Sequence, residues 1–260
     1  MPNGTDNSGN SLSSAASAIY EGFSSGRVDV SKIPEQLDVD AGLQVQLSVL
    51  DLRLEAGESL GGWKVGLTSG AARDKMGKGV RPFGHILQRQ MFVSGDSIPL
   101  DRVPRAIIEP ELAFRIDRPL SGPDVTPDEV RSSISHALPA FEILQKRIPD
   151  DASHGLSVAD GLGQWGIVLG AAVAWDSTAA ETSVEMTCDA ETVASVGPRF
   201  GIDEPMESIA VLCRKLSGYD RGLEEGQYVI TGAFHKAPVT ATGHWEARFS
   251  NVGSVEVDFA

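Results

Sequence analysis

Glu109 and Glu111 stand one residue apart in the run Arg105-Ala106-Ile107-Ile108-Glu109-Pro110-Glu111-Leu112-Ala113-Phe114-Arg115-Ile116. Ile108, Leu112, Phe114 and Ile116 share one parity, and β-branched and aromatic residues dominate, so the run reads as a strand. Residues two apart in a strand project to one face. The two carboxylates therefore stand together, opposite those four apolar side chains. Side by side they repel, and each tends to hold a proton unless a cation lies between them. Hard divalent cations prefer oxygen ligands, so the pair fits Mg²⁺ or Mn²⁺; it also fits a solvated strand face. Further on, Glu142 sits inside the apolar string Ala140-Phe141-Glu142-Ile143-Leu144. An isolated ionised carboxylate there is costly, and a cation shared with Glu109 and Glu111 would resolve the cost. Lys64 belongs to Gly62-Trp63-Lys64-Val65-Gly66-Leu67-Thr68-Ser69, which alternates as a strand. Trp63, Val65 and Leu67 take one face; Lys64, Gly66 and Thr68 take the other. Gly66 leaves room for a ligand beside the lysine; the alternative is an exposed lysine on a solvated face.

The elements that must position these groups follow from the patterning. Residues 1–10 carry little to bury and read as a disordered tail. Residues 11–60 read as an N-terminal helical segment, with one helix over about 11–23. Asp40 is a plausible N-cap for a second, on which Leu43, Leu47, Leu50 and Leu54 form one face. Residues 61–260 read as a strand-rich body, so that 11–260 form one domain. In it, 71–76 suggests a short helix, 126–138 a helix capped by Thr126 or Asp128, and 164–170 a strand. Residues 183–196 alternate, 207–216 are helical, 228–230 form a strand, and a hairpin turning at 251–254 closes the chain. Helices first and strands after favour an α+β domain.

Composition bounds the function. The chain has 260 residues, 41% hydrophobic and 22% charged, an ordinary globular balance. Its net charge of −14 repels nucleic acid and anionic membranes, so neither is expected as a partner. The five histidines are scattered without zinc spacing. Cys188 and Cys213 are too few for a disulfide framework, which makes a reducing cytoplasm the default. No basic stretch followed by an apolar run opens the chain, and no apolar run approaches a membrane span, so neither a secretory signal nor an anchor is expected. Gly-x-Gly-x-x-Gly, Walker and nucleophile-triad patterns are absent from the sequence.

Several spaced motifs, in order, resemble one family. Gly62-Trp63-Lys64-Val65-Gly66-Leu67-Thr68-Ser69 resembles the Gly-aromatic-Lys-x-Gly-Leu-Thr-Ser signature of the 2-oxopent-4-enoate hydratases and 4-oxalocrotonate decarboxylases, of the fumarylacetoacetate hydrolase superfamily. Phe83-Gly84 and Met91-Phe92 follow at the family's distance. Ile108 to Phe114 resembles its Glu-Ala-Glu strand, and Leu138-Pro139-Ala140-Phe141-Glu142-Ile143 its Leu-Pro-Ala-x-Glu segment, followed by Arg147-Ile148. Ala159-Asp160 matches the start of its Ala-Asp-Asn-Ala-Ser stretch, and 223–233 its Gly-Asp-x-x-x-Thr-Gly ending. The resemblance spans roughly 38–260. It implies a distorted β-barrel or roll with N-terminal and flanking helices, assembled as a homo-oligomer. It implies Mg²⁺ or Mn²⁺ on Glu109, Glu111 and Glu142, with Lys64 moving a proton or stabilising negative charge. Asp160 is a candidate to orient Lys64 or a water at the metal, or else a loop cap. Leu67, Thr68, Phe83, His85, Ala233 and His235 are the candidate substrate contacts.

The implied reaction is hydration of a 2-hydroxy-2,4-dienoate, or a similar 2-oxo acid, to a 4-hydroxy-2-oxo acid. The alternatives are decarboxylation of a 2-oxo acid, C–C bond hydrolysis, or a scaffold that kept the fold while its pocket drifted. Four departures bear on the choice. Pro110 replaces the usual Ala, which suggests a strand that is locally irregular or at an edge. Pro82 stands where hydratases often carry an acid. Gly161-Leu162-Gly163 follows Asp160, and Phe234-His235-Lys236 replaces a small turn. His85 and His235 either take over proton transfer or are ordinary loop histidines.

Overall fold

The computed structural model describes residues 7–176, 179, 181–198 and 202–260; residues 1–6 of the expected tail lie outside them. Two helices come first, α1 (Asn7–Ser25) and α2 (Val39–Glu55). Residues 7–10, which composition assigns to the tail, form the first turn of α1. Asp38, not Asp40, caps α2: its carboxylate accepts from the Ala41 N–H at 2.8 Å, which satisfies one of the helix's free donors. Leu43, Leu47 and Leu50 are buried along one side of α2, as their spacing requires.

The body then runs β1 (Leu60–Val65), β2 (Phe83–Leu87), β3 (Met91–Val93), β4 (Ser97–Ile98), β5 (Ala106–Arg115), α3 (Pro127–Ser132), β6 (His136–Gln145), α4 (His154–Ala159) and β7 (Gln164–Leu169). It continues with β8 (Val173–Ala174), β9 (Val184–Cys188), β10 (Glu191–Val196), α5 (Pro205–Ser217), β11 (Tyr228–Thr231), β12 (Ala237–Pro238), β13 (Gly243–Phe249) and β14 (Gly253–Phe259). Two expected elements end early. β1 stops at Val65 because the Gly66 N–H donates to Pro82 O and Leu67 takes a positive φ of 58°, which turns the chain. α3, capped by Thr126 in a reciprocal box with Glu129, stops at Ser132. Residues 136–138 join β6 instead, where Ala137 and Leu138 pair with Phe114 and Ala113. The segment 70–76 holds only a single 3-10 turn, at Gly70–Ala72, rather than a helix.

Two sheets make up the α+β architecture. The larger has nine strands in the order β2-β1-β11-β5-β6-β7-β3, with β12 added to β5 and β8 to β6. The smaller runs β10-β9-β13-β14-β4 and packs through β13 and β14 across β6 and β7. The main core lies between them: Ile108, Leu112, Phe114, Phe141 and Ile143 from one face of the large sheet meet Trp245, Ala247, Val255 and Val257. The opposite face of that sheet buries Ile86, Ala113, Leu138, Ala140, Ile167 and Ile230 together. Ile86 and Ile167 belong to strands near the two ends of the strand order, so a flat sheet would hold them far apart. The sheet curls into a half-barrel, and this second cluster fills its inner side.

Candidate active site

The inner face of the half-barrel carries the chemistry. In β5, Glu109 and Glu111 alternate with outward Ile108 and Leu112, and Glu109 lies directly across from Glu142 of β6. Glu109, Glu111 and Glu142 are buried, and each offers a carboxylate oxygen within 4.8 Å of the others. Lys64 of β1 enters the same space and donates to Glu142 Oε1 at 2.7 Å. β11 and β5 separate β1 from β6, about 14 Å of flat sheet, so only the curl lets these two side chains meet.

Pro110, between the two acids, does not break the strand. β5 is an interior strand, and its register with β6 runs unshifted through Glu109, Pro110 and Glu111. β5 is thus no edge strand, but the local irregularity that the proline suggests is present on one side, as the partners of β5 show. β5 pairs with β11 over Ala113 to Arg115 and with β12 over Ile107 and Ile108, leaving a gap between. A strand residue's N–H and C=O point the same way. The Pro110 carbonyl accepts from the Phe234 N–H at 2.9 Å on the gap side, so the missing N–H of proline also faces the gap and costs the β5–β6 ladder nothing.

The electrostatics of the cluster are those of acids lacking a full set of partners. Burial, and then the charges of Glu142 and Glu109, hold the Glu111 carboxyl well above its usual range. Glu111 accepts from the Gly232 N–H, while its Oε2 is buried with no hydrogen-bond partner. Gly232 has φ +106°, and a Cβ there would lie 2.5 Å from Ile202 Cγ2, so only glycine presents this N–H. Burial also raises Glu142, to about 6, against the attraction of Lys64. Three converging carboxylates, one with an orphaned oxygen, are the donor set of a hard divalent cation.

These groups form the buried end of a cleft of about 560 Å³. Leu67, Thr68, Ala233 and His235 line it, as do Ser69, Lys75, Leu144, Leu162 and Lys236. Phe83 and His85 do not. They share the outer face with Trp63, whose direct partner is His85. Phe83 packs edge-on to Trp63, and His85 is buried near Phe23 of α1. Burial, with Arg53 and Arg147 nearby, pushes the His85 pKa down to about 3, and its Nδ1 has no partner. Asp160 also lies away from the cleft lining. It is 1% exposed, caps α4, and accepts from Arg147 Nε at 2.8 Å rather than from Lys64. The room expected over Gly66 is taken by Leu162, whose Cδ1 would sit 2.2 Å from a Cβ there.

Three contributors were not singled out as site residues from the sequence. Lys236 lies 3.3 Å from Glu109, and Lys75 lines the same cleft. Nothing in their local pattern separates them from other surface lysines. Gln46 was legible in principle, as a polar residue on the leucine face of α2. It is fully buried and donates to Phe83 O and Val158 O, tying α2 to β2 and α4.

No family model matches the chain. Over 236 residues it is 28% identical to a 2-oxo-hept-4-ene-1,7-dioate hydratase of Escherichia coli, covering 86% of this chain and 88% of that protein. Over 258 residues it is 27% identical to a 2-keto-4-pentenoate hydratase of Paraburkholderia phymatum, covering 96% and 98%. Its fold matches that of 4-oxalocrotonate decarboxylase from Pseudomonas putida G7, solved with magnesium and adipate. The TM-score is 0.87 at 20% identity, over 97% of this chain and 98% of that one. Along nearly its whole length the chain is thus similar in sequence to 2-keto-4-pentenoate hydratases, and it shares the fold of 4-oxalocrotonate decarboxylase and, more distantly, of fumarylacetoacetate hydrolase structures.

Proposed function

We propose that this protein is a divalent-cation-dependent hydratase that converts a 2-hydroxy-2,4-dienoate to a 4-hydroxy-2-oxo acid. The observation that carries the reading is the buried convergence of Glu109, Glu111 and Glu142 beside Lys64 at the inner end of the cleft. The three carboxylates would hold the cation, which when bound supplies Lewis acidity toward the oxygens of a 2-oxo acid. The oxygen-only donor set, and the magnesium in the decarboxylase neighbour, support Mg²⁺ or Mn²⁺.

In the reaction, the dienol gives up its hydroxyl proton and gains one at the terminal carbon. Water then adds across the resulting conjugated enone, hydroxyl at C4 and hydrogen at C3. Lys64 places a positive group beside the oxygen that gains negative charge as the dienol ketonises, and its ammonium can exchange that proton. Glu142 holds Lys64 in place. Gly232 fixes Glu111, and the apolar walls at Leu144 and Leu162 keep the inner end dry. Asp160 acts at one remove, by anchoring Arg147 behind the site. Leu67, Thr68, Ala233 and His235 contact the substrate.

The hydratase names of the sequence relatives favour hydration over decarboxylation, which the fold neighbour alone would suggest. Those names span a diacid and a monoacid, so likeness does not set the substrate's far end. A homo-oligomer in a reducing cytoplasm completes the reading, supported by the family resemblance and by two free cysteines, and light scattering tests the assembly. No helix among the described residues is long and apolar enough to cross a membrane.

The deciding experiment follows the ultraviolet absorbance of freshly generated 2-hydroxypenta-2,4-dienoate with the protein, with and without Mg²⁺, and identifies the product by mass. Metal-dependent loss of the dienol with gain of one water is expected. Metal binding without turnover of this dienol or longer ones would overturn the reading.

A further inference from the structure

Arg73, Asp74 and Lys75 stand together on the segment joining β1 to β2. Arg73 pairs with Asp203, and Asp74 accepts from Arg81 at 2.7 Å and from the Gly79 N–H at 3.0 Å. Arg81, nearly buried, also donates to Asp203 at 2.6 Å. These bonds pin the segment to the body on both sides of Lys75. The Lys75 side chain has no partner among the described residues, is exposed, and lines the cleft. Lys236 also lines the cleft; its side chain is 58% exposed although it lies 3.3 Å from Glu109, so its ammonium is open to solvent.

The charges of the cleft can be added up. Counted formally, with every carboxylate ionised as a bound cation requires, Lys64, Lys75 and Lys236 match Glu109, Glu111 and Glu142. A divalent cation on the carboxylates leaves the cleft at plus two. A monoanionic substrate neutralises half of that and a dianionic one all of it. Exposure has the same sense: Lys64, Glu109, Glu111 and Glu142 are buried, Leu144 and Leu162 add apolar lining, and the Lys75 and Lys236 side chains are exposed. That gradient fits a molecule with one ionised end in the buried cluster and a second ionised group toward solvent.

We propose that Lys75 and Lys236 form a lip subsite for a second, distal carboxylate, which makes a dicarboxylic 2-oxo acid the preferred substrate class. The subsite rests on the hydratase reading for the reaction undergone, but not for the binding of the ligand.

Calorimetry on the full chain with Mg²⁺ tests the binding with a matched pair of unreactive acids, adipate and hexanoate. Adipate is expected to bind at least about fivefold more tightly, the effect of one partly exposed ion pair. Lys75→Met is expected to reduce that adipate-to-hexanoate ratio toward one, and Lys75→Glu to invert it. Lys236→Met should reduce the ratio in the same direction. Equal affinities in the unmodified chain, binding of neither acid, or a ratio untouched by Lys75→Glu in a protein with an unaltered melting curve would each overturn the subsite. The companion assay compares kcat/KM for 2-hydroxyhepta-2,4-diene-1,7-dioate and 2-hydroxypenta-2,4-dienoate. A selective adipate site with turnover of neither dienoate would sink the hydratase and keep the subsite. Turnover that favours the monoacid, with no adipate preference, would do the reverse.

Discussion

Single residues at this site are governed by whether their charge has a partner. Glu111 has burial and two like charges against its ionisation. Mg²⁺ binding should therefore expel a proton from the cluster near neutral pH, and affinity should rise with pH. Calorimetry in buffers of different ionisation enthalpy reads that proton directly. Glu111→Gln or Glu109→Gln should weaken Mg²⁺ binding by at least about tenfold, since each removes an anionic ligand. His85 gives a separate prediction. It is held neutral when folded, with its pKa near 3, while the unfolded chain takes up a proton below about 6.5. Between those values the unfolded state binds more protons, so stability falls as pH falls, by about 2 kcal/mol from pH 7 to pH 5. Urea midpoints across that range should show the slope, and His85→Gln should flatten it. The convergence of Glu109, Glu111 and Glu142 was legible in sequence because spacing and a buried carboxylate are local facts. The direction of His85 was not, because it depends on the pairing of Trp63 with His85 across two strands. Nor was the partner of Asp160, an arginine thirteen residues earlier.

Among the elements, those with a strong local signal were the easiest to read. The leucine face of α2 and the alternation of β13 and β14 each specify an element and its buried side. The hairpin between β9 and β10 was harder, for its turn is made by Asp189 and Ala190 at φ 48° and 65°, without the glycine that usually marks such a turn. The extent of α3 was also hidden, since β6 recruits the residues that its helical pattern would have continued. Gln46 shows what joins the helical layer to the sheet. Its amide closes two backbone carbonyls from different elements. Gln46→Ala should remove both bonds and lower stability by about 1–3 kcal/mol, readable as a lower urea midpoint.

For the whole molecule, the decisive feature is the curl of the nine-stranded sheet, which no local pattern encodes because it arises from pairings between distant segments. It converts strands three positions apart into neighbours across a cleft and makes Lys64 and Glu142 a pair. The surface meanwhile carries a charge of −14, and self-repulsion of that size opposes compaction. Raising salt from about 0.01 to 0.15 M shortens the Debye length from roughly 30 to 8 Å, so the melting temperature should rise, by about 2–4 °C if the relief is near 1 kcal/mol. Differential scanning calorimetry tests the sign. The interruption beside Pro110 has a consequence of its own. At the carboxylate pair the strand ladder is made by β6 alone, while the chain between β11 and β12 leaves the ladder to build the cleft wall at Ala233 to Lys236 and returns single bonds, as from the Phe234 N–H to Pro110 O. The joint behaves as a socket: that short wall can be exchanged or lengthened while the register of Glu109 against Glu142 stays put, so the reactive floor and the selective wall are separable modules, open to independent change in evolution or by grafting.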